Sequence, residues 1–145
     1  MSTRSITGIL HSESAEVGSG VYVHSDGYPE ARLPFLKEVI VRDGVDKAIK
    51  TILSAVHGGW SYLDTEYSNN SLGEDRAVLV PGYGLQYADV PADTERMKHS
   101  DAIRDYGIEF MYYIDPQTGD IHWYEGSHDE VSIERFEEYS KVAAK

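Results

Sequence analysis

Cysteine is absent from the 145-residue chain, which excludes disulfides, thiolate catalysis and zinc–sulfur sites. Positive charge is scarce: 13 Lys and Arg face 25 Asp and Glu, for a formal net charge of −12, and no Lys/Arg-rich run occurs. A phosphate backbone is held by clustered positive charge, so direct nucleic-acid binding is not expected. Long apolar runs are missing too. No stretch approaches the roughly 18 residues of a membrane span, and the opening MSTRSITGIL is too short and polar for a secretory core. A cytoplasmic protein without membrane contact is expected. Phenylalanine occurs only 3 times and tryptophan twice, whereas tyrosine occurs 11 times. A tyrosine offers both a stacking face and a hydroxyl, which suits binding surfaces.

A chain of this length fits one domain, spanning residues 1–145, that buries about two thirds of its extended surface. The segment TRSITGIL alternates as a strand does, the polar HSESAEVGSG follows as a turn, and VYVH reads as a second strand of an antiparallel hairpin. Pro34 suits the first turn of a helix over PFLKEVIV, which Asp43-Gly44 interrupts. The next helix has apolar residues at Val45, Ala48, Ile49, Ile52, Leu53 and Val56, with Asp43 as N-cap and Gly58 as stop. From Gly58 onward Gly, Asn and Ser indicate loop, although Trp60, Tyr62 and Tyr67 indicate packing. RAVLVPGYGLQYADV reads as a strand pair or a strand bent at Pro81-Gly82, and ADTERMKHSDAIRDYG as a short helix ended by Gly107.

The segment GIEFMYYIDPQTGDIHWYEG carries the strongest strand pattern. Pairing Asp115 with Asp120 sets Ile114 beside Ile121 and Tyr112 beside Trp123, with Phe110 on the same, core-facing side. Pro116 then serves a type I turn and Gly119 its left-handed position. The other face carries Met111, Tyr113, His122 and Tyr124. Ser127 and Glu130 form a capping-box pattern for a C-terminal helix. The expected class is therefore α+β: a single antiparallel sheet of about five or six strands flanked by about two to four helices.

One cluster stands out, HSDGYP at residues 24–29. As a turn, Asp26-Gly27 would reverse the chain, Tyr28 would plug the core and Pro29 would stop the strand. As a site, His24 and Asp26 could share a face, with Asp26 orienting the His24 ring as base or donor. Adjacency rules out a ready-made triad, since neighbouring strand residues point to opposite faces. Six histidines show no metal-ligand spacing, so no metal or cofactor is expected; a His24, Asp26 and His122 site would need neighbouring strands. An N-terminal Ser2 nucleophile would require two stacked sheets, for which the chain is small. A binding surface unites more features: the loop, the outward aromatics of the hairpin, and Tyr83 and Tyr87 of GYGLQY. Helical cover over that aromatic face would make it core instead.

MSTRS leading into a strand, VYVHSDGYPE, and the YYIDPQTGDIHWYE hairpin together resemble a family of small bacteriophage and mobile-element proteins. Its members often open with Met-Ser/Ala-Thr-Arg and carry His-x-Asp-Gly-Tyr-Pro. The likeness covers both ends of the chain and leaves residues 57–105 aside. It implies an accessory protein acting in the host cytoplasm against host defences, and it transfers no residue roles. Under that resemblance the leading expectation is a non-catalytic protein that sequesters a nucleotide-derived immune signal, commonly as a homo-oligomer. Arg4, His24, Asp26, Tyr28, Tyr113, His122 and Tyr124 are the candidate contacts, with Arg32 as a further cation for the ligand. The alternatives are an acidic inhibitor that fills the basic groove of a host protein and a small hydrolase using His24 and Asp26.

Overall fold

A computed structural model describes residues 3–10, 17–24, 26–53, 59–65, 77–87, 96–98, 108–125 and 131–143. The strands are β1 (Ser5–Leu10), β2 (Val17–Val23), β3 (Gly59–Leu63), β4 (Ala77–Val80), β5 (Gly84–Tyr87), β6 (Arg96–Lys98), β7 (Phe110–Ile114), β8 (Ile121–Glu125) and β9 (Ser132–Glu134). The helices are α1 (Pro29–Asp43), α2 (Val45–Leu53) and α3 (Phe136–Ala143). All strands join one sheet in the order β4-β5-β3-β2-β1-β7-β8-β9, and β6 pairs with the first half of β2. The α+β class is as expected, with a larger sheet. Most pairings are antiparallel, but β1 with β7 and β2 with β3 are parallel, pairings between distant segments that no local pattern announces.

The hairpins are those the alternation indicates. Ser5 lies opposite Val23 and Leu10 opposite Gly18, so β2 begins within the segment read as a turn. Ile114 pairs with Ile121 and Tyr112 with Trp123. Gly119 has φ +81°, the left-handed position that closes the loop. A bend at residues 81–83 joins β4 to β5.

Side chains of alternate residues divide the sheet into two faces. On one face Val21, Val23, Trp60, Tyr112, Ile114 and Ile121 pack with Leu36, Val39 and Ile40 of α1, Ile49 and Ile52 of α2, and Tyr139 of α3. Phe110, Tyr112 and Trp123 stack along it, with ring centroids 6.5 and 6.1 Å apart. The opposite face holds a second buried cluster of Ile6, Ile108, Met111, Tyr113 and Tyr124. No described helix is long and apolar enough to cross a membrane.

Local expectations fail where tertiary partners take over. Pro29, and not Pro34, occupies the first turn of α1. Pro34 falls inside the helix on its exposed side, where water can serve the carbonyl its ring leaves unbonded. Gly44 ends α1, its N–H donating to Ile40 O at 2.9 Å, and its carbonyl accepts from Ala48 N to start α2. Asp43 is therefore no N-cap; its carboxylate is held by Arg42 and the Tyr83 hydroxyl. Arg96–Lys98 is a strand where a helix was expected. The C-terminal segment forms β9 before its helix, and α3 is capped from the hairpin, Phe136 N donating to Asp120 Oδ1 at 2.9 Å. Gly58, Tyr67, Gly107, Ser127 and Glu130 lie outside the described residues.

Candidate functional site

The candidate site lies where β2 leaves the sheet. Tyr22 and His24 are two residues apart on a strand and so share a face. Tyr22 Oη and His24 Nδ1 share a hydrogen bond of 2.8 Å, and the two rings sit 5.9 Å apart at 50°. His24 is half-buried and its N–H donates to Trp60 O at 2.9 Å, which fixes the backbone that carries the ring.

Arg4, the residue before β1, enters the same cluster. The last β1–β2 pair is Ser5 with Val23, so one step further along the register sets Arg4 across from His24. Arg4 is exposed, and its carbonyl accepts from Glu109 N at 2.9 Å. Burial raises the Tyr22 phenol above its ordinary pKa, and the nearby Arg4 guanidinium pulls the other way by favouring the phenolate. A guanidinium, an imidazole and a phenol thus converge at one end of the second sheet face. Together they can donate to an anion, and the rings offer a stacking surface.

The other expected residues are placed differently. Rows across this face follow the register: Tyr22, Ile6, Met111 and Tyr124 form one row, and Gly20, Gly8, Tyr113 and His122 form the next. Tyr113 and Tyr124 meet edge to face at 6.4 Å and are 2 % and 7 % exposed, so both rings belong to the second core cluster. Burial pushes the Tyr113 hydroxyl up to about 12. His122 is half-buried and lies three strands from β2 in the sheet order, or about 14 Å at the usual strand spacing. The structure therefore does not bring His24 and His122 together.

Asp26 and Tyr28 are also placed differently from the expectation. Asp26 is exposed with φ +55°, and Tyr22, not Asp26, engages Nδ1 of His24. Tyr28 does not plug the core. It is 39 % exposed and forms the N-cap of α1, its carbonyl accepting from Ala31 and Arg32. The plug is Tyr112, whose buried hydroxyl donates to Gly27 O at 2.6 Å. Tyr83, expected on a binding surface, is buried with its hydroxyl on Asp43; the Tyr87 side chain lies outside the description.

Arg32 is likewise not a ligand contact. It is wholly buried, its Nη1 donates to Leu63 O at 2.7 Å and its Nη2 to Asp26 O at 3.2 Å. The guanidinium also lies over the Phe35 ring at 5.4 Å. Burial lowers its pKa to about 10, against the pull of Tyr112, Asp26 and Asp64, so it remains charged at neutral pH. It clamps the exit of β2 to the end of β3.

Sequence reasoning nominates Arg4 and His24 but misses Tyr22, whose signal is the i, i+2 spacing to His24. Among the described residues no cluster of His, Asp and Glu has the arrangement of a metal site. No protein-family model, no curated protein and no solved structure matches this chain, so its site is read from its own geometry.

Proposed function

We propose that the protein is a non-catalytic binding protein that captures a small anionic, ring-bearing ligand of the nucleotide type at Arg4, Tyr22 and His24. The observation that carries this reading is the meeting of Arg4 and His24 through Tyr22. In a chain of net charge −12, an exposed guanidinium beside an imidazole supplies donors for an anion, and it suits a phosphate-bearing ligand whose base can stack on the rings. The likeness to phage accessory proteins makes a nucleotide-derived immune signal the first ligand to test, with the host cytoplasm as the place of action. The hydrolase reading is less favoured, because Asp26 is exposed at φ +55° and it is Tyr22 that engages Nδ1 of His24.

The test incubates the purified protein with cyclic di- and trinucleotides and ADP-ribose-type signals, removes free ligand, denatures the complex by heat and identifies what is released. Intact ligand is expected, with binding weakened at least about tenfold, or about 1.4 kcal/mol, in both Arg4→Ala and His24→Ala. The melting temperature of His24→Ala should stay within a few degrees of the parent. Release of an altered ligand would establish an enzyme, and depletion of no ligand would remove both readings.

A further inference from the structure

A groove of about 580 Å³ lies between α1, β9 and α3, away from the Arg4 cluster. Its apolar surface comes from Val41, Ile133 and Tyr139, and charged side chains surround it. The cations among these are already engaged. Lys37 pairs with Glu134 at 2.7 Å, Arg42 with Asp43 at 2.7 Å and Arg135 with Asp120 at 3.1 Å. The acids are not all engaged: Glu38 accepts only a hydroxyl from Thr65 at 3.0 Å, and Glu138 makes no side-chain ion pair or hydrogen bond among the described residues. Glu38 and Glu138 are therefore two acids beside an apolar surface with no cation partner among the described residues.

The groove also reaches an open sheet edge. β9 ends the strand order and has β8 as its one neighbour among the described residues. Of β9, Ile133 and Glu134 both touch the groove, and neighbouring strand residues point to opposite faces. A cavity that meets both comes up to the backbone at the edge, where among the described residues no further strand pairs with the outward N–H and C=O groups.

We propose that this groove docks an extended, basic segment of a partner protein, which adds to β9 as a further strand. Main-chain hydrogen bonds to β9 supply the register, apolar residues of the segment rest on Val41 and Tyr139, and its Lys or Arg residues reach Glu38 and Glu138. The inference does not depend on the ligand of the Arg4 cluster.

The probe is a labelled peptide of about ten residues alternating valine and lysine, long enough to cover a typical strand. Titrated into the full chain, it should bind saturably and slow hydrogen exchange at the amides of β9. Glu38→Lys/Glu138→Lys, both on exposed positions, should retain the parent melting temperature and weaken binding at least about tenfold. A peptide of the same sequence N-methylated at every backbone nitrogen has the same charge and side chains and lacks the donors that pair with an edge, so it should not bind. Equal binding by the N-methylated peptide, or by the charge-reversed variant, would reduce the effect to the net charge of the chain and overturn the proposal. Concentration-dependent dimers that protect β9 without peptide would overturn it in favour of a second copy.

Discussion

The turns at residues 26–29 and 115–120 each contain an Asp and a Gly, and each has a glycine carbonyl that accepts from a buried tyrosine hydroxyl at 2.6 Å. Tyr112 serves Gly27 and Tyr139 serves Gly119. Beyond that shared bond they are held differently. In the hairpin turn the Asp115 carboxylate accepts from Gln117 and Thr118 N–H groups, and Thr118 Oγ1 accepts from Asp120 N. In the other turn, Gly27 N donates to Thr3 O and Arg32 holds the Asp26 carbonyl, while Tyr28 caps α1 without a side-chain hydrogen bond. One turn carries its own supports within a few residues. The other borrows them from the residues before β1, from α1 and from β7, so its shape is a consequence of the assembled sheet.

Glycine substitutions test this difference most strongly. A Cβ at Gly27 would lie 2.6 Å from Ser5 Cβ and 2.8 Å from Thr3 O, so Gly27→Ala is expected to cost about 3 kcal/mol or more in urea unfolding. At Gly119 a Cβ would meet Phe136 and Val45 side chains at 3.0 Å, with φ at +81°. Gly119→Ala should cost about 1–2 kcal/mol. Equal costs would erase the contrast between a turn held by backbone from afar and one held locally.

Arg32→Met should follow, at about 2–4 kcal/mol, because the Leu63 carbonyl loses its donor in a buried place and the Asp26 carbonyl in a half-buried one. A loss below about 1 kcal/mol would show that the clamp is dispensable. Tyr112→Phe and Tyr139→Phe should each cost about 1–2 kcal/mol, but only the first should speed amide exchange at Gly27.

Alkaline titration sharpens the same pair. Burial raises the Tyr112 and Tyr139 phenols above their ordinary value, with Arg32 opposing the rise at Tyr112 and Asp120 adding to it at Tyr139. A folded pKa above the unfolded one means that the stabilisation is fully present below about pH 10 and is lost as pH rises through the folded values. Tyrosinate absorbance of the buried rings should therefore grow together with unfolding, and the slope of stability against pH should be shallower in Tyr112→Phe. Asp115→Ala, which removes only exposed turn bonds, should be the mildest change, at about 1 kcal/mol or less.

Legibility in the sequence tracks the range of the forces. The β7–β8 register is readable because a short turn and a period of two leave one pairing that keeps Tyr112, Ile114, Ile121 and Trp123 on one face. The β1–β2 hairpin and the buried stripe of α2 are readable for the same local reason. The capping of α3 is not, since Asp120 reaches it from another element. Of the candidate site, Arg4 and His24 are readable by residue type, whereas their meeting depends on the β1–β2 pairing. Arg32 looks like any ligand-binding cation until its two carbonyl partners come from β3 and the turn.

By itself the sequence determined the α+β class, the two hairpins, the second helix and the acidic surface, because alternation, turn residues and charge act within a few residues or need no geometry. Tertiary structure alone decided the parallel joins of β1 with β7 and β2 with β3, the burial of Tyr113, Tyr124 and Arg32, and the exposure of Tyr28. Each of those depends on which distant backbone groups and side chains arrive beside it, and the free energy of burying a polar group is set by those neighbours.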